Sequence, residues 1–115
     1  MAAPYVPDVG DIVWLNFTPQ SGHEQAGRRP AVVLSPKSYN LKSGLLVCVP
    51  ITNQIKGYPF EVVLSGGGAT GAALADQIKS LDWQTRQAER KGHATPGEIS
   101  EIRAKIGALL MFNLQ

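Results

Sequence analysis

Apolar residues in this chain come in short runs. The longest, 45–51, has seven residues and already contains Pro50, and glycine, proline or serine stops each run. Nothing approaches the roughly 20 apolar residues that a membrane helix needs, so the expectation is a chain with no membrane span. Runs of this length, rich in branched and aromatic residues and bounded by turn formers, read as β-strands. Five follow in order: 11–17 after Gly10, 31–34 between Pro30 and Ser35-Pro36, 45–49 after Ser43-Gly44, 58–64, and a weaker run over 73–79. The first is apolar on both faces, as a strand covered on both sides would be. Pro59 belongs near a strand start or sheet edge because it cannot donate to a ladder. Five short strands at this spacing predict a small barrel or sandwich rather than an alternating α/β sheet.

The period changes near the end. Thr95-Pro-Gly-Glu98 is a capping box with proline at the first helical position, and Ile99, Ile102, Ile106 and Leu109 follow at helical spacing. A shorter helix is expected over 82–91, capped by Ser80 or Asp82 and ended by Gly92. The fold class is therefore mainly β with helices (α+β), in one domain over 1–115, the size expected for a 115-residue chain.

Composition narrows the chemistry. At 43% hydrophobic and 17% charged residues this is a globular rather than a disordered chain. Its one cysteine, Cys48, rules out an internal disulfide and any cysteine-clustered metal site, and His23 and His93 stand far apart. No cofactor and no metal are expected. The first eight residues lack a basic, apolar signal pattern, so the expected location is cytoplasmic. The formal charge of +2 does not by itself imply a polyanionic partner. Its distribution is more telling: between Gln25 and Phe60 stand Arg28, Arg29, Lys37, Lys42 and Lys56, and no acid. If those segments converge, one face suits a phosphate backbone; otherwise they are ordinary solvated cations.

The polar, glycine-rich loop 20–30 places His23, Glu24, Arg28 and Arg29 within seven residues between two strands, and Thr52-Asn53-Gln54 follows another strand. Such loops on rigid strands often carry function, though a solvent ion pair and a turn-forming Thr-Asn pair are the plainer readings. Together these groups suit RNA cleavage by the substrate's own 2′-hydroxyl. That reaction needs a base, charge stabilisation for the phosphorane and a proton for the leaving 5′-oxygen. Glu24 can act as base, Arg29 as a bidentate phosphate clamp, Thr52 as oxyanion donor, and His23 as acid or base near neutral pH.

Several ordered motifs resemble the MazF/PemK toxins of bacterial toxin–antitoxin pairs, with the MazF branch the nearer. They are Tyr5-Val-Pro-Asp-Val-Gly-Asp11, Glu24-Gln-Ala-Gly-Arg-Arg-Pro-Ala-Val-Val-Leu-Ser-Pro36, Val49-Pro50 with Thr52, Lys56-Gly-Tyr-Pro-Phe-Glu-Val-Val-Leu-Ser65 and Ala73-Leu-Ala-Asp-Gln77. The resemblance implies an SH3-like barrel with added helices, a homodimer, and a metal-independent endoribonuclease that cuts single-stranded RNA at short motifs. Its products would carry a 2′,3′-cyclic phosphate and a 5′-hydroxyl. It implies a MazE-like antitoxin whose extended tail blocks the RNA site, and operator DNA reached only indirectly through that antitoxin. Matching motifs carries the catalytic role to Arg29, Thr52 and Glu24. A guanidinium seldom yields its proton, so Arg29 is read as stabilising charge. His23 matches the PemK branch, whereas Leu74 stands where that branch has an arginine and Asp76 is retained. Two assignments stay open: Glu24 with Arg29, or His23 sharing the proton work. Asp76 reads as supporting the site or capping a turn. RNA contacts are expected from Arg28, Lys56, Lys79, Asn40 and Gln77, with Tyr58 or Phe17 stacking on bases and Trp14 and Trp83 packed in the core or an interface. Sequence preference is expected to lie in loop positions such as 53–55 and 66–71. The alternative on the same fold is a non-catalytic, CcdB-like inhibitor of DNA gyrase; a peptide-binding scaffold is a third reading.

Overall fold

A computed structural model describes residues 4–17 and 27–112. Among these, seven strands and two helices follow the order β1 (Asp11–Asn16), β2 (Arg28–Val33), α1 (Lys37–Ser43), β3 (Leu45–Thr52), β4 (Glu61–Val63), β5 (Ala72–Leu74), β6 (Lys79–Asp82), β7 (Glu89–His93) and α2 (Pro96–Leu110). The strands form one antiparallel sheet in the order β4-β5-β3-β2-β1-β7, with β6 also paired to β3. The sheet is small-barrel-like, but its strand path is open between β4 and β7. The loop after β4 spans that gap, where the His93 N–H donates to the Gly67 carbonyl at 2.8 Å. Backbones meet so closely there that a Cβ on Gly92 would lie 2.1 Å from the Gly67 oxygen, so only glycine fits.

Strand alternation sends successive residues to opposite faces, and both faces of the central strands are covered. Ile12, Val32, Val49 and Ile51 join Val62, Leu64, Ala73 and Ile102 in one core beneath α2. Val13, Leu15, Ala31, Val33, Leu46 and Cys48 join Trp83 in a second. The expected coverage of the first strand on both faces is thus found. Burial pushes the Cys48 thiol up to about 12, leaving it an inert core residue.

The capping box is present in full: Thr95 accepts from the Glu98 N–H at 3.1 Å, and Glu98 from the Thr95 N–H at 2.8 Å. Glu98 also accepts from the Ser65 N–H at 2.6 Å, fastening α2 to the end of β4. Ile102 is fully buried, with Ile99 and Ile106 packed beside it, while Leu109 departs from the expected stripe and is 42% exposed.

Two expectations change, and one element is added. The helix over 82–91 does not form: Asp82 instead caps a turn, accepting from the Gln84 and Thr85 N–H groups, Gln87 takes φ 55°, and the chain continues into β7. The run 73–79 is two strands, β5 and β6, parted by a turn in which the Gln77 N–H donates to the Leu74 carbonyl. Residues 37–43 form α1, which the sequence pattern did not announce; Pro36 at its N-cap supplies no side-chain hydrogen bond.

Candidate nucleic-acid interface

Two clefts open at the end of β3, where alternation splits successive residues between them. Thr52 and Gln54 line the first, together with Lys56, Tyr58, Glu61, Leu74 and Gln77, around about 130 Å³. Ile51 and Asn53 line the second, with Trp14, Arg28, Arg29, Pro30, Ala69, Thr70 and Lys91, around about 390 Å³.

In the first cleft the Thr52 hydroxyl oxygen accepts the Gln54 N–H at 3.1 Å, leaving the hydroxyl hydrogen available to a ligand. Gly71 lies so close to this strand end that a Cβ there would sit 2.2 Å from the Thr52 carbonyl oxygen. The Glu61 carboxylate accepts the N–H groups of Lys56 (3.0 Å) and Gly57 (2.7 Å). The Lys56 N–H bond is the main reason its carboxyl is held below the ordinary carboxylate value. The Tyr58 hydroxyl donates to Asp76, 2.8 and 2.9 Å from its two oxygens, and that bond raises the phenol above its usual range. Tyr58 therefore keeps its proton.

The second cleft is cationic. Arg28 donates to Asn16, to the Gln87 carbonyl and to Glu89, the last as an ion pair at 3.1 Å. The Lys91 ammonium stands 4.9 Å from the centre of the Trp14 ring and donates to the Gly68 carbonyl. Trp14 is consequently a cleft residue, while Trp83 is buried and donates from Nε1 to the Asn40 carbonyl at 2.8 Å.

Several expected site residues are brought together. Thr52, Lys56 and Gln77 share the first cleft, and Arg28 and Arg29 the second. The β2–β3 ladder runs from Val33–Cys48 to Ala31–Pro50, and beyond it Thr52 pairs instead with Ala72 of β5, so Arg29 and Thr52 stand near one strand end but line different clefts. Lys79 stands on β6 opposite Cys48 and lines neither cleft. His23 and Glu24 lie outside the described residues.

Asn40 is a correction. It is fully buried on α1, its amide donating to the Pro7 and Ser35 carbonyls and its oxygen accepting from the Ser35 hydroxyl. With every polar atom satisfied inside the protein it cannot touch RNA. Phe17 packs against the second core, so of the two expected stacking residues Tyr58 is the one that lines a cleft. The acid-free run is divided among three places: Lys37 and Lys42 are on α1, Lys56 lines the first cleft, and Arg28 and Arg29 the second.

Sequence reasoning passed over Glu61 and Lys91. Glu61 had a signal, since one carboxylate inside the apolar run from Phe60 to Leu64 asks for partners. Lys91 had none. Among the described residues, no three His, Cys, Asp or Glu side chains converge as metal ligands would.

A small antiparallel sheet that presents an amide- and hydroxyl-lined cleft beside an arginine-lined one has the chemistry to grip a polyanionic strand. Residues 8–110 match the family described as the PemK-like, MazF-like toxin of type II toxin-antitoxin systems, and the chain belongs to that family. It is 57% identical over 110 residues to the endoribonuclease toxin MazF of Escherichia coli K12, covering 96% of this chain and 99% of the relative. It is 30% identical over 106 residues to the endoribonuclease PemK of Escherichia coli, covering 88% and 80%. Among solved structures, MazF from Deinococcus radiodurans superposes with a TM-score of 0.85 at 54% identity, covering 94% of this chain and 99% of that one. A MazE–MazF complex from the same organism gives 0.83 at 49%, covering 93% and 97%.

Proposed function

We propose that this chain is a MazF-type endoribonuclease toxin of a type II toxin–antitoxin pair, acting as a single domain in the cytoplasm and held in check by a MazE-like antitoxin. The near full-length likeness to a MazF endoribonuclease carries the reading. The geometry adds a hydroxyl donor, an arginine pair and a lysine at one end of the β2–β3 ladder. The gyrase-inhibitor alternative is not favoured, since the curated relatives are endoribonucleases by name.

The reaction follows from these groups. The RNA 2′-oxygen attacks the adjacent phosphorus while Glu24 takes its proton, with His23 sharing the proton work. Arg29 and the Thr52 hydroxyl stabilise the charge that gathers on the phosphorane oxygens. The bond from phosphorus to the 5′-oxygen then breaks, and that oxygen takes the proton held by Glu24 or, in the second assignment, one from His23. The products are a 2′,3′-cyclic phosphate and a 5′-hydroxyl, and no metal ion is required. Arg28, Lys56, Lys79 and Gln77 hold the flanking strand, and Tyr58 offers its ring to a base.

The functional unit is a homodimer. Its interface uses the apolar groove of about 450 Å³ lined by Leu34, Val47, Ile78, Ile106, Leu110 and Phe112, where Phe112 is 71% exposed in the lone chain. Operator DNA is reached only through the antitoxin.

The test is to incubate the purified protein with a long single-stranded RNA in EDTA and map each new 5′ end. Discrete cuts bearing 5′-hydroxyls are expected and would also reveal the recognised motif. Intact RNA, or cleavage that only Mg²⁺ restores, would overturn the reading.

A further inference from the structure

The segment between β3 and β4 has no regular secondary structure, yet it supplies Gln54, Lys56 and Tyr58 to the Thr52 cleft. Three restraints hold it from three different elements. Glu61 at the start of β4 accepts the Lys56 and Gly57 N–H groups. Lys105 on α2 donates to the Pro59 carbonyl. Asp76, in the turn after β5, accepts the Tyr58 hydroxyl on both carboxylate oxygens. The last is the only one of the three that grips a side chain of the segment itself. It also fixes the ring plane, which stands 64° to Phe60 with centroids 6.5 Å apart.

Asp76 does not line the cleft, and its carboxylate reaches across 18 residues of sequence to Tyr58. The turn that contains it is closed by backbone groups, the Gln77 N–H and the Leu74 carbonyl. Turn capping therefore does not account for that side chain, whose partner is the Tyr58 hydroxyl.

We infer that Asp76 is a positioning residue for RNA binding, acting through the Tyr58 hydroxyl to hold the ring and the 53–60 segment against the substrate beside Thr52. The inference rests on the endoribonuclease reading above and gives Asp76 a task within it. Preorganisation of this kind strengthens binding by removing the cost of ordering a loop. It acts equally on substrate and transition state, so its loss is read in KM rather than kcat.

The experiment uses a fluorophore–quencher oligoribonucleotide spanning a cut site mapped on the long transcript. Tyr58→Phe keeps the ring and removes only the hydroxyl; KM is expected to rise about tenfold, the size of one hydrogen bond to a charged acceptor, with kcat and its pH profile unchanged. Asp76→Ala should match it. Asp76→Asn, whose amide oxygen still accepts the phenol hydrogen, should stay within about threefold of wild type. The Tyr58→Phe/Asp76→Ala double variant should be no worse than either single one, since both remove the same bond. Unchanged KM in Tyr58→Phe, or additive losses in the double variant, would overturn the inference. So would a fall in kcat alone, which places the pair in the chemistry, or a loss that tracks a lowered Tm, which makes it a brace for the fold. A wild-type protein that leaves every RNA intact would instead sink the endoribonuclease reading, and this inference with it.

Discussion

The two clefts at the end of β3 share one strand and are built by different forces. The Thr52 cleft is held by directional hydrogen bonds: Glu61 to the Lys56 and Gly57 N–H groups, Asp76 to Tyr58, and Thr52 to Gln54. The arginine cleft adds charge to such bonds: Arg28 pairs with Glu89 while donating to Asn16 and the Gln87 carbonyl, and Lys91 packs over Trp14. The first offers amides, a hydroxyl and a ring, groups that suit base edges and faces. The second offers guanidiniums, which suit phosphates whatever the sequence. One strand end thus borders both clefts, with Thr52 and Gln54 lining the first and Ile51 and Asn53 the second.

The strongest way to break this division is Arg29→Ala. With Arg29 stabilising the phosphorane, single-turnover cleavage should fall by at least about 10²–10³-fold while Tm and antitoxin binding stay at wild-type values. Unfolding of the variant would show that Arg29 serves the fold instead. Asn40 sits in neither cleft and sharpens the contrast. Asn40→Ala strands the Ser35 and Pro7 partners it now satisfies, and should cost about 3 kcal/mol in denaturant melts. RNA affinity of the folded fraction should not change; weaker RNA binding would return Asn40 to the interface.

A smaller effect separates the clefts directly. Arg28→Ala should lower the slope of log affinity against log salt by about 0.7, as expected for one phosphate contact to single-stranded RNA. Gln77→Ala should leave the slope alone and alter which sequences are cut. Equal slopes for both variants would erase the distinction. Smallest is an acid effect confined to the first cleft. The Glu61 carboxyl is held below its ordinary 4.5 by the Lys56 N–H, so its hold on the loop is complete above that pH and is lost as pH falls through its folded value. Affinity for an uncleavable 2′-deoxy oligonucleotide should weaken below about pH 4.5 in the wild type. In Glu61→Gln it should be weaker already at pH 7 and lack that acid step.

Much of this architecture was legible wherever the determinant is local. The capping box at Thr95 and Glu98 needs only four consecutive residues, and α2 forms where it predicts. The first and third runs stand as β1 and β3 because two-sided apolar character is a property of the strand itself. Misreadings occurred where a distant partner decides. Residues 82–91 carry helix start and stop signals, Ser80 or Asp82 before and Gly92 after, but Asp82 closes a turn and Arg86 reaches back to the Asn16 and Phe17 carbonyls, drawing the segment to the edge of β1. Asn40 reads as a surface amide because its key acceptor, the Pro7 carbonyl, is 33 residues away. The site divides the same way: motif resemblance picked out Thr52, Lys56 and Gln77, whose shared cleft is then found, whereas the partition into two clefts depends on pairing between distant strands.

The seam that spans the open sheet between Gly67 and Gly92 is backbone against backbone. Substitution has nothing to adjust there, because any side chain at either glycine meets main-chain atoms. Side-chain variation in this loop is therefore left to positions beside the seam, such as Ala69 and Thr70, which line the arginine cleft. The closure itself should pass from one toxin to the next unaltered, a constant frame within which the recognised sequence can drift.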